Sequence, residues 1–379
     1  MTDSKTHAQQ QIANSAERLV GLADSLHANP ETAWEEFESS ERVADLLLES
    51  GFDVTTGYLG FETAFHATIG TGPIRVGICA EYDALPGLGH ACGHNLIAAM
   101  SSGAATALAP QVDSLGITIE VFGTPAEEGG GGKIEMLQRG AFAGLDLAMM
   151  AHPAPVDIAE ARPFAVSHSR IGYQGKAAHA AAYPEQGINA ADAFTIAQVS
   201  LGLLRQQLPP SVRVHGIVTD GGEAPNAIPE RTTGRWYVRA ESLAELGAVE
   251  PRVWACFQAG AVATGCELAV EPESHPYSEF RNNDHALAFY RQNAIALGRT
   301  FDISQASRMN RASTDMGNVS QIVPAIHPYI GIKSLPAVNH QREFAAHCVG
   351  GHAEQAVLDG ATALAWTAID VSGMASHAA

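Results

Sequence analysis

Basic residues are scarce in this chain. Against 41 Asp and Glu stand 22 Lys and Arg, so the formal charge is 22 − 41 = −19 at neutral pH, and no run of Lys or Arg relieves that balance anywhere. A field of this sign repels nucleic-acid phosphates and anionic lipid heads, so neither nucleic acid nor a membrane surface is an expected partner. Long apolar runs are also missing: no segment approaches the ~18 uninterrupted apolar residues of a spanning helix. The start, Met1-Thr2-Asp3-Ser4-Lys5, lacks the basic and then apolar stretch of a secretory signal, and a cytoplasmic location is the default expectation. Cysteine is sparse and odd in number, with Cys79, Cys92, Cys256, Cys266 and Cys348 scattered along a chain too large to need a disulfide framework. Four of them are expected to pack as small buried apolar groups. Cys92, followed by Gly93 and His94, stands apart.

What is present is enough to fold without staples: 46% hydrophobic and 17% charged residues over 379 positions, a length that favours two domains of unequal size. Residues 9–51 read as an amphipathic helix, a break at Asn29-Pro30-Glu31 and a second helix ending near Gly51, with Leu19, Leu22 and Leu26, then Val43, Leu46 and Leu47, at helical spacing. Strands are expected at 61–69, 74–80, 117–122 and 145–150. Helices are expected at 95–109, with Asn95 as its cap, and at 133–139. This is an α/β alternation with loops at the strand ends.

Near Pro163 the style changes to strand 164–174, helix 188–208, strands 212–219 and 232–239, helix 242–263 and strand 267–271, a βαββαβ order. The α/β style then returns with a helix at 284–297, a strand about 329–332 and a helix from about 352 to 369. The chain therefore reads as a discontinuous domain, 1–163 with 276–379, carrying an inserted unit at 164–275.

Three site segments leave the first domain's strands. Cys92 and His94, two apart in a glycine turn, can converge on one ion more readily than they can relay a proton; a redox or nucleophile pair, and plain packing, are the other readings. A thiolate ligand points to zinc, or to manganese, cobalt or nickel, rather than magnesium or calcium. Glu127 and Glu128 repel unless a cation sits between them, and one can bind metal while its neighbour moves protons; the alternative is a solvated acidic loop. The run Gly129–Gly132 fails the phosphate-loop spacing, since Ile134 follows Lys133, and is read as letting backbone approach a crowded metal centre. His152, ending an apolar strand, is either a ligand or a hydrogen-bonded core histidine, and so is His340 in Val338-Asn339-His340-Gln341.

The motifs Ala80-Glu81-Tyr82-Asp83-Ala84-Leu85-Pro86, His90-Ala91-Cys92-Gly93-His94-Asn95, Thr124-Pro125-Ala126-Glu127-Glu128-Gly129, Gly175-Lys176-Ala177-Ala178-His179-Ala180 and Ser313-Thr314-Asp315-Met316-Gly317 together resemble the dinuclear metallo-amidohydrolases of the aminoacylase and carboxypeptidase type. The nearest branch holds aminobenzoyl-glutamate hydrolases, auxin-conjugate hydrolases and the β-alanyl-lysine dipeptidase. The resemblance implies a zinc-peptidase-like α/β catalytic domain of mixed sheet, with an inserted α+β ferredoxin-like lid that dimerises the chain. It implies two divalent ions per subunit held by Cys92, His94, Glu128, His152 and His340, with Cys92 bridging, and Glu127 as general base and acid. Asp83, and less directly Glu81, would orient ligand imidazoles.

By the same resemblance, His179 steadies the oxyanion in the partner subunit's site, Asn226 contacts substrate and Arg239 meets a carboxylate. Many relatives have Asp after the Cys-Gly-His turn, where this chain has Asn95, as in the dipeptidase and aminobenzoyl-glutamate subgroup. The implied reaction is hydrolysis of an amide in N-acyl amino acids or dipeptide-like substrates by a metal-activated water. Two rivals are an amidase using Cys92 as nucleophile with a histidine base, and a non-catalytic binding relative of the fold.

Overall fold

The computed structural model describes residues 2–378, and for residues 2, 305, 306 and 375–378 the backbone alone. The chain divides into two compact units: one holds the chain through Pro163 together with Phe280 onward, and the other is Phe164–Glu279.

The first unit opens with α1 (Thr2–Asn14), α2 (Ala16–Ala28) and α3 (Phe37–Glu49). The single helix expected from residue 9 is thus two, parted at Ser15. Next come β1 (Asp53–Thr56), β2 (Phe65–Ile69), β3 (Ile74–Ala80), α4 (His94–Leu108), the single turn α5 (Val112–Leu115), β4 (Ile117–Gly123), α6 (Gly132–Gln138), β5 (Leu147–Met149) and β6 (His152–Ala154). The strand expected from residue 61 starts only at Phe65, because residues 61–64 form a turn closed by the Ala64 N–H donating to the Phe61 carbonyl at 3.1 Å.

The inserted unit follows as β7 (Ala165–Gln174), α7 (Ala190–Leu204), β8 (Arg213–Asp220), β9 (Arg231–Ala240), α8 (Leu243–Thr264) and β10 (Glu267–Pro272). Its four strands form one antiparallel sheet in the order β10-β7-β9-β8, with the two helices packed together and around Trp236, Phe194, Phe257 and Tyr173. Asn189 and Ser242 cap α7 and α8 by accepting from Ala191 and Glu245 N–H, the usual remedy for orphan donors at a helix start. Cys256, expected buried, lies on α8 and is partly exposed.

The chain then returns to the first unit with α9 (Asp284–Ala296), α10 (Met316–Ser320), β11 (Ala325–Ile326), β12 (Tyr329–Gly331), α11 (Arg342–His347) and α12 (Gly351–Ala378). Its main sheet runs β1-β2-β4-β3-β5-β11. The pairs β4-β3, β3-β5 and β5-β11 are parallel, while β2 and β1 are antiparallel. A second, two-stranded sheet pairs β6 with β12. The helix α4 is buried along nearly its whole length because α1, α2 and α12 cover it on one side and β3, β4 and β6 lie on the other.

This arrangement places the exits of β3, β4 and β5 side by side. In an open α/β sheet that crevice is where ligands bind. No helix among the described residues is long and apolar enough to cross a membrane.

Candidate metal centre

β3 delivers Glu81, Tyr82 and Asp83 to the crevice, all buried. Asp83 ties two later segments together: Oδ1 accepts from His94 Nδ1 at 2.8 Å, and Oδ2 accepts the Glu128 backbone N–H at 2.9 Å. His94 is thereby left with Nε2 as its outward nitrogen, the carboxylate–histidine arrangement that orients a metal ligand.

Gly93 precedes it at φ 88°, and a Cβ there would meet Pro153 at 2.9 Å, so only glycine lets the Cys92–His94 turn close against β6. The helix begins at His94 with Gly93 in the cap position. Asn95 is not the cap: its amide donates to the Ala23 and Cys348 carbonyls at 3.1 and 2.9 Å, a cross-link between helices made possible because the preceding turn is already closed by glycine.

Cys92 Sγ lies 3.5 Å from His152 Nε2, and His152 Nδ1 is held by the Pro153 carbonyl at 2.8 Å. His340 takes a left-handed φ of 68°, anchors its N–H on the Ala91 carbonyl at 2.8 Å, and brings Nε2 to 3.4 Å from Glu128 Oε1. Glu127 and Glu128 follow Ala126, also left-handed at φ 58°, whose N–H donates to the buried Glu36 carboxylate at 2.8 Å. From His94 Nε2 the carboxylates of Glu127 and Glu128 are each 3.9 Å away.

The glycine run does not line this centre as expected. A Cβ on Gly130 would strike the Trp34 indole at 2.3 Å and one on Gly132 the Pro125 carbonyl at 1.9 Å, so these glycines make room for the loop's own packing.

The donor set fits metal ions. Ligand atoms of Cys92, His94 and His152 lie within 4.8 Å of one another, as do those of Cys92, Glu128 and His340 and those of His94, Glu127 and Glu128. The Cys92 thiol belongs to two of the groups. Among the buried side-chain atoms without a hydrogen-bond partner are Glu81 Oε2, His94 Nε2 and Glu128 Oε1. Orphaned buried polar atoms are costly and rare, and here they face one another.

The electrostatics agree. Burial pushes the Cys92 thiol up, yet the His152 and His340 imidazoles outweigh it and hold the thiol down to about 6. The Cys92 thiolate and Glu128 in turn raise His340 to about 11. Burial, together with the Glu81, Glu128 and Asp315 carboxylates, raises Glu127 well above the usual carboxyl range.

A lowered thiol pKa means thiolate above about pH 6 and thiol below it. Iodoacetamide should therefore alkylate Cys92 in metal-free protein with a midpoint near pH 6, read by mass spectrometry, and added zinc should protect it. A midpoint of about 8.5–9, the ordinary range, or a trapped acyl-cysteine on turnover, would argue against ligation.

One residue outside the quoted motifs completes the crevice. Lys133 at the start of α6 is fully buried; its Nζ donates to Glu81 Oε1 at 2.5 Å and Asp315 Oδ1 at 2.7 Å, and its N–H to Asp315 Oδ2 at 2.9 Å. The remaining expected site residues lie in the inserted unit. His179 is exposed, pairs in an isolated bridge with Ala227, and accepts the Ala181 and Ala182 N–H groups on Nδ1 at 3.3 and 3.1 Å. The exposed Asn226 sits beside it through the Ala180 N–H to Asn226 carbonyl bond of 3.0 Å. Arg239 is on β9, its Nε donating to His215 Nε2 at 3.2 Å.

Comparison with known proteins supplies the wider setting. A family model described as Peptidase family M20/M25/M40 matches residues 77–362. The Xaa-Arg dipeptidase of Mus musculus is 39% identical over 383 residues, covering 97% of this chain and 88% of its own. A p-aminobenzoyl-glutamate hydrolase component of Escherichia coli (strain K12) is 32% identical over 281 residues, covering 69% and 58%. Among solved structures, an aminobenzoyl-glutamate utilization protein from Klebsiella pneumoniae aligns with a TM-score of 0.75 at 19% identity, covering 95% of this chain and 97% of that one. A dinuclear metal-binding peptidase from Bacillus subtilis aligns at 0.72 and 20%, covering 95% and 99%. At such identities these two structures establish a shared fold.

Proposed function

The chain belongs to peptidase family M20/M25/M40 and is a hydrolytic enzyme, and from that premise we propose that it cleaves the amide bond of dipeptide-like or N-acyl amino acid substrates at a centre of two divalent ions. The observation that carries this reading is the convergence of orphaned, buried ligand atoms beside Glu127. Cys92, His94, Glu128, His152 and His340 would hold the ions, with the Cys92 thiol common to both. A thiolate-containing set suits zinc first, with manganese, cobalt or nickel as alternatives. Bound ions of this kind polarise a carbonyl and bring the pKa of water from about 15.7 to about 7.

The remaining work belongs to the chain's own side chains. Glu127 takes the proton of the attacking water and returns it to the leaving amine, the double role open to a buried carboxylate placed at the reacting atoms. Asp83 keeps the His94 imidazole turned toward the centre through its 2.8 Å contact. In the inserted unit, to which we assign the roles of lid and homodimer contact, His179 has Nδ1 occupied by backbone N–H groups, which leaves Nε2 as the donor for an oxyanion. Asn226 and Arg239 are the candidates for contacts to substrate, Arg239 to its carboxylate.

Substrates with a basic residue are favoured on two grounds: the resemblance over nearly the whole length to a protein named for Xaa-Arg dipeptides, and a net charge of −19 that draws cations inward. A panel of Xaa-Arg and Xaa-Lys dipeptides, β-alanyl dipeptides, N-acetyl and long-acyl amino acids and aminobenzoyl-glutamate tests this. The basic dipeptides are expected to give the highest kcat/KM. Absence of turnover across the panel by metal-loaded protein would overturn the proposal.

A further inference from the structure

We propose that Glu81 is itself a ligand of the metal centre through Oε2, held in place by a Lys133–Asp315 clamp on its other oxygen. The inference rests on the reading of the crevice as a metal site and adds to it a residue outside the five expected ligands.

Glu81 directly follows the last residue of β3 and is completely buried. Its Oε1 accepts the Lys133 ammonium at 2.5 Å. Lys133 is fixed in turn by Asp315, both of whose oxygens are used, one by Nζ and one by the backbone N–H. A second cation has no place on the Asp315 side, although Glu81, Glu127 and Asp315 also lie within 4.8 Å of one another: the ammonium already stands there.

Glu81 Oε2 is different. It has no hydrogen-bond partner and faces His94 Nε2, also without one, at 3.5 Å. Two ligand atoms at ~2.0–2.1 Å from a tetrahedral ion lie roughly 3.3 Å apart, so the observed separation is that of two ligands sharing one cation. A residue serving only as counter-ion to Lys133 has no reason to leave a buried oxygen orphaned, because that costs free energy unless a cation or donor meets it.

The consequence is an asymmetric centre. Through its 3.5 Å approach to His94 Nε2, Glu81 adds one ligand to the ion that His94 would hold, whereas the Cys92, Glu128 and His340 group keeps three. Four protein ligands describe closed, tightly held zinc, and three describe a site with an open position for chemistry. The first ion should accordingly bind more tightly than the second.

Zinc titration of chelator-stripped full-length protein against a chromogenic competitor tests this without measuring activity. Wild type is expected to take two equivalents in two affinity classes. In Glu81→Gln the tighter class should weaken by about tenfold or more while the other stays within about threefold. Unchanged affinities for both ions in Glu81→Gln would overturn the assignment of Glu81 and leave the metal centre standing; no zinc uptake by wild type would overturn the centre as well.

If Glu81→Gln does not fold, Glu81→Asp keeps the charge facing Lys133 but withdraws the carboxylate by one methylene, and the same loss is expected. A crystal of wild type grown with cadmium provides a test free of substitution. An anomalous peak within about 2.5 Å of Glu81 Oε2 supports the inference, and peaks whose nearest Glu81 oxygen is beyond about 3 Å contradict it.

Discussion

Glu127→Gln is expected to lower kcat by roughly 10²–10⁴-fold, the usual contribution of a positioned general acid–base, while its zinc content stays at the wild-type value. The amide occupies the same volume as the carboxylate and can still donate and accept hydrogen bonds, but it cannot carry a proton from water to a leaving amine. Glu127 is buried, 3.9 Å from His94 Nε2, and surrounded by the Glu81, Glu128 and Asp315 carboxylates, which together with burial strengthen its hold on a proton. Cations in the crevice act in the opposite sense, so the group stands between a base too weak to take the proton and one too strong to return it. Steady-state kinetics with metal analysis on the same sample checks this. Wild-type turnover in Glu127→Gln would remove Glu127 from the mechanism, and a parallel loss of metal would make it a ligand instead.

The second large effect is on stability. Lys133→Met should destabilise the protein by about 3–5 kcal/mol, the cost of removing one partner from a buried ion pair, because Glu81 and Asp315 then remain in the interior without their ammonium. The deficit should depend on pH. Burial alone pushes Glu81 up, but Lys133, followed by His94 and His152, outweighs it and brings the carboxyl from 4.5 down to about 2.

A carboxyl with a depressed folded-state pKa stabilises fully above its unfolded value and loses that contribution as pH falls through the folded one. The contribution of Glu81 to wild-type stability should therefore be full above about pH 4.5 and be lost between there and about pH 2, while in Lys133→Met burial favours the protonated carboxyl, so the gap should be smallest in acid and widen as pH rises. Urea denaturation at several pH values measures it. A difference below about 0.5 kcal/mol at neutral pH, the range of ordinary surface substitutions, would show that the triad is not what fixes Glu81.

These residues also mark how far the sequence can be read. Cys92, His94, Glu127, Glu128 and His152 are visible because each is a ligand type in or beside a short connection between apolar elements, a poor place for such groups unless they meet something. The βαββαβ order of the inserted unit is visible because its strands alternate and its helices are long. The two-residue β11 and the largely polar β1 carry no pattern, and their pairing is decided by the neighbouring strands.

Lys133 is illegible for a physical reason. A single lysine opening a helix looks like a solvated charge, and only the arrival of Asp315 from 182 residues away and of Glu81 from β3 turns it into a buried cation. Glu36 is the same kind of case, since its buried carboxylate acts on the Ala126 N–H 90 residues later. Asn95 misleads because its side chain suits a cap, whereas the glycine before it already takes that position.

The central claim, that this crevice hydrolyses amides only when it holds metal, is tested most directly by adding zinc or manganese back to chelator-stripped enzyme while following hydrolysis of an Xaa-Arg dipeptide. The expected result is no turnover without metal, recovery as ions are added, and a plateau at about two equivalents per chain, the stoichiometry of a two-ion site. Turnover that survives complete removal of metal would contradict it.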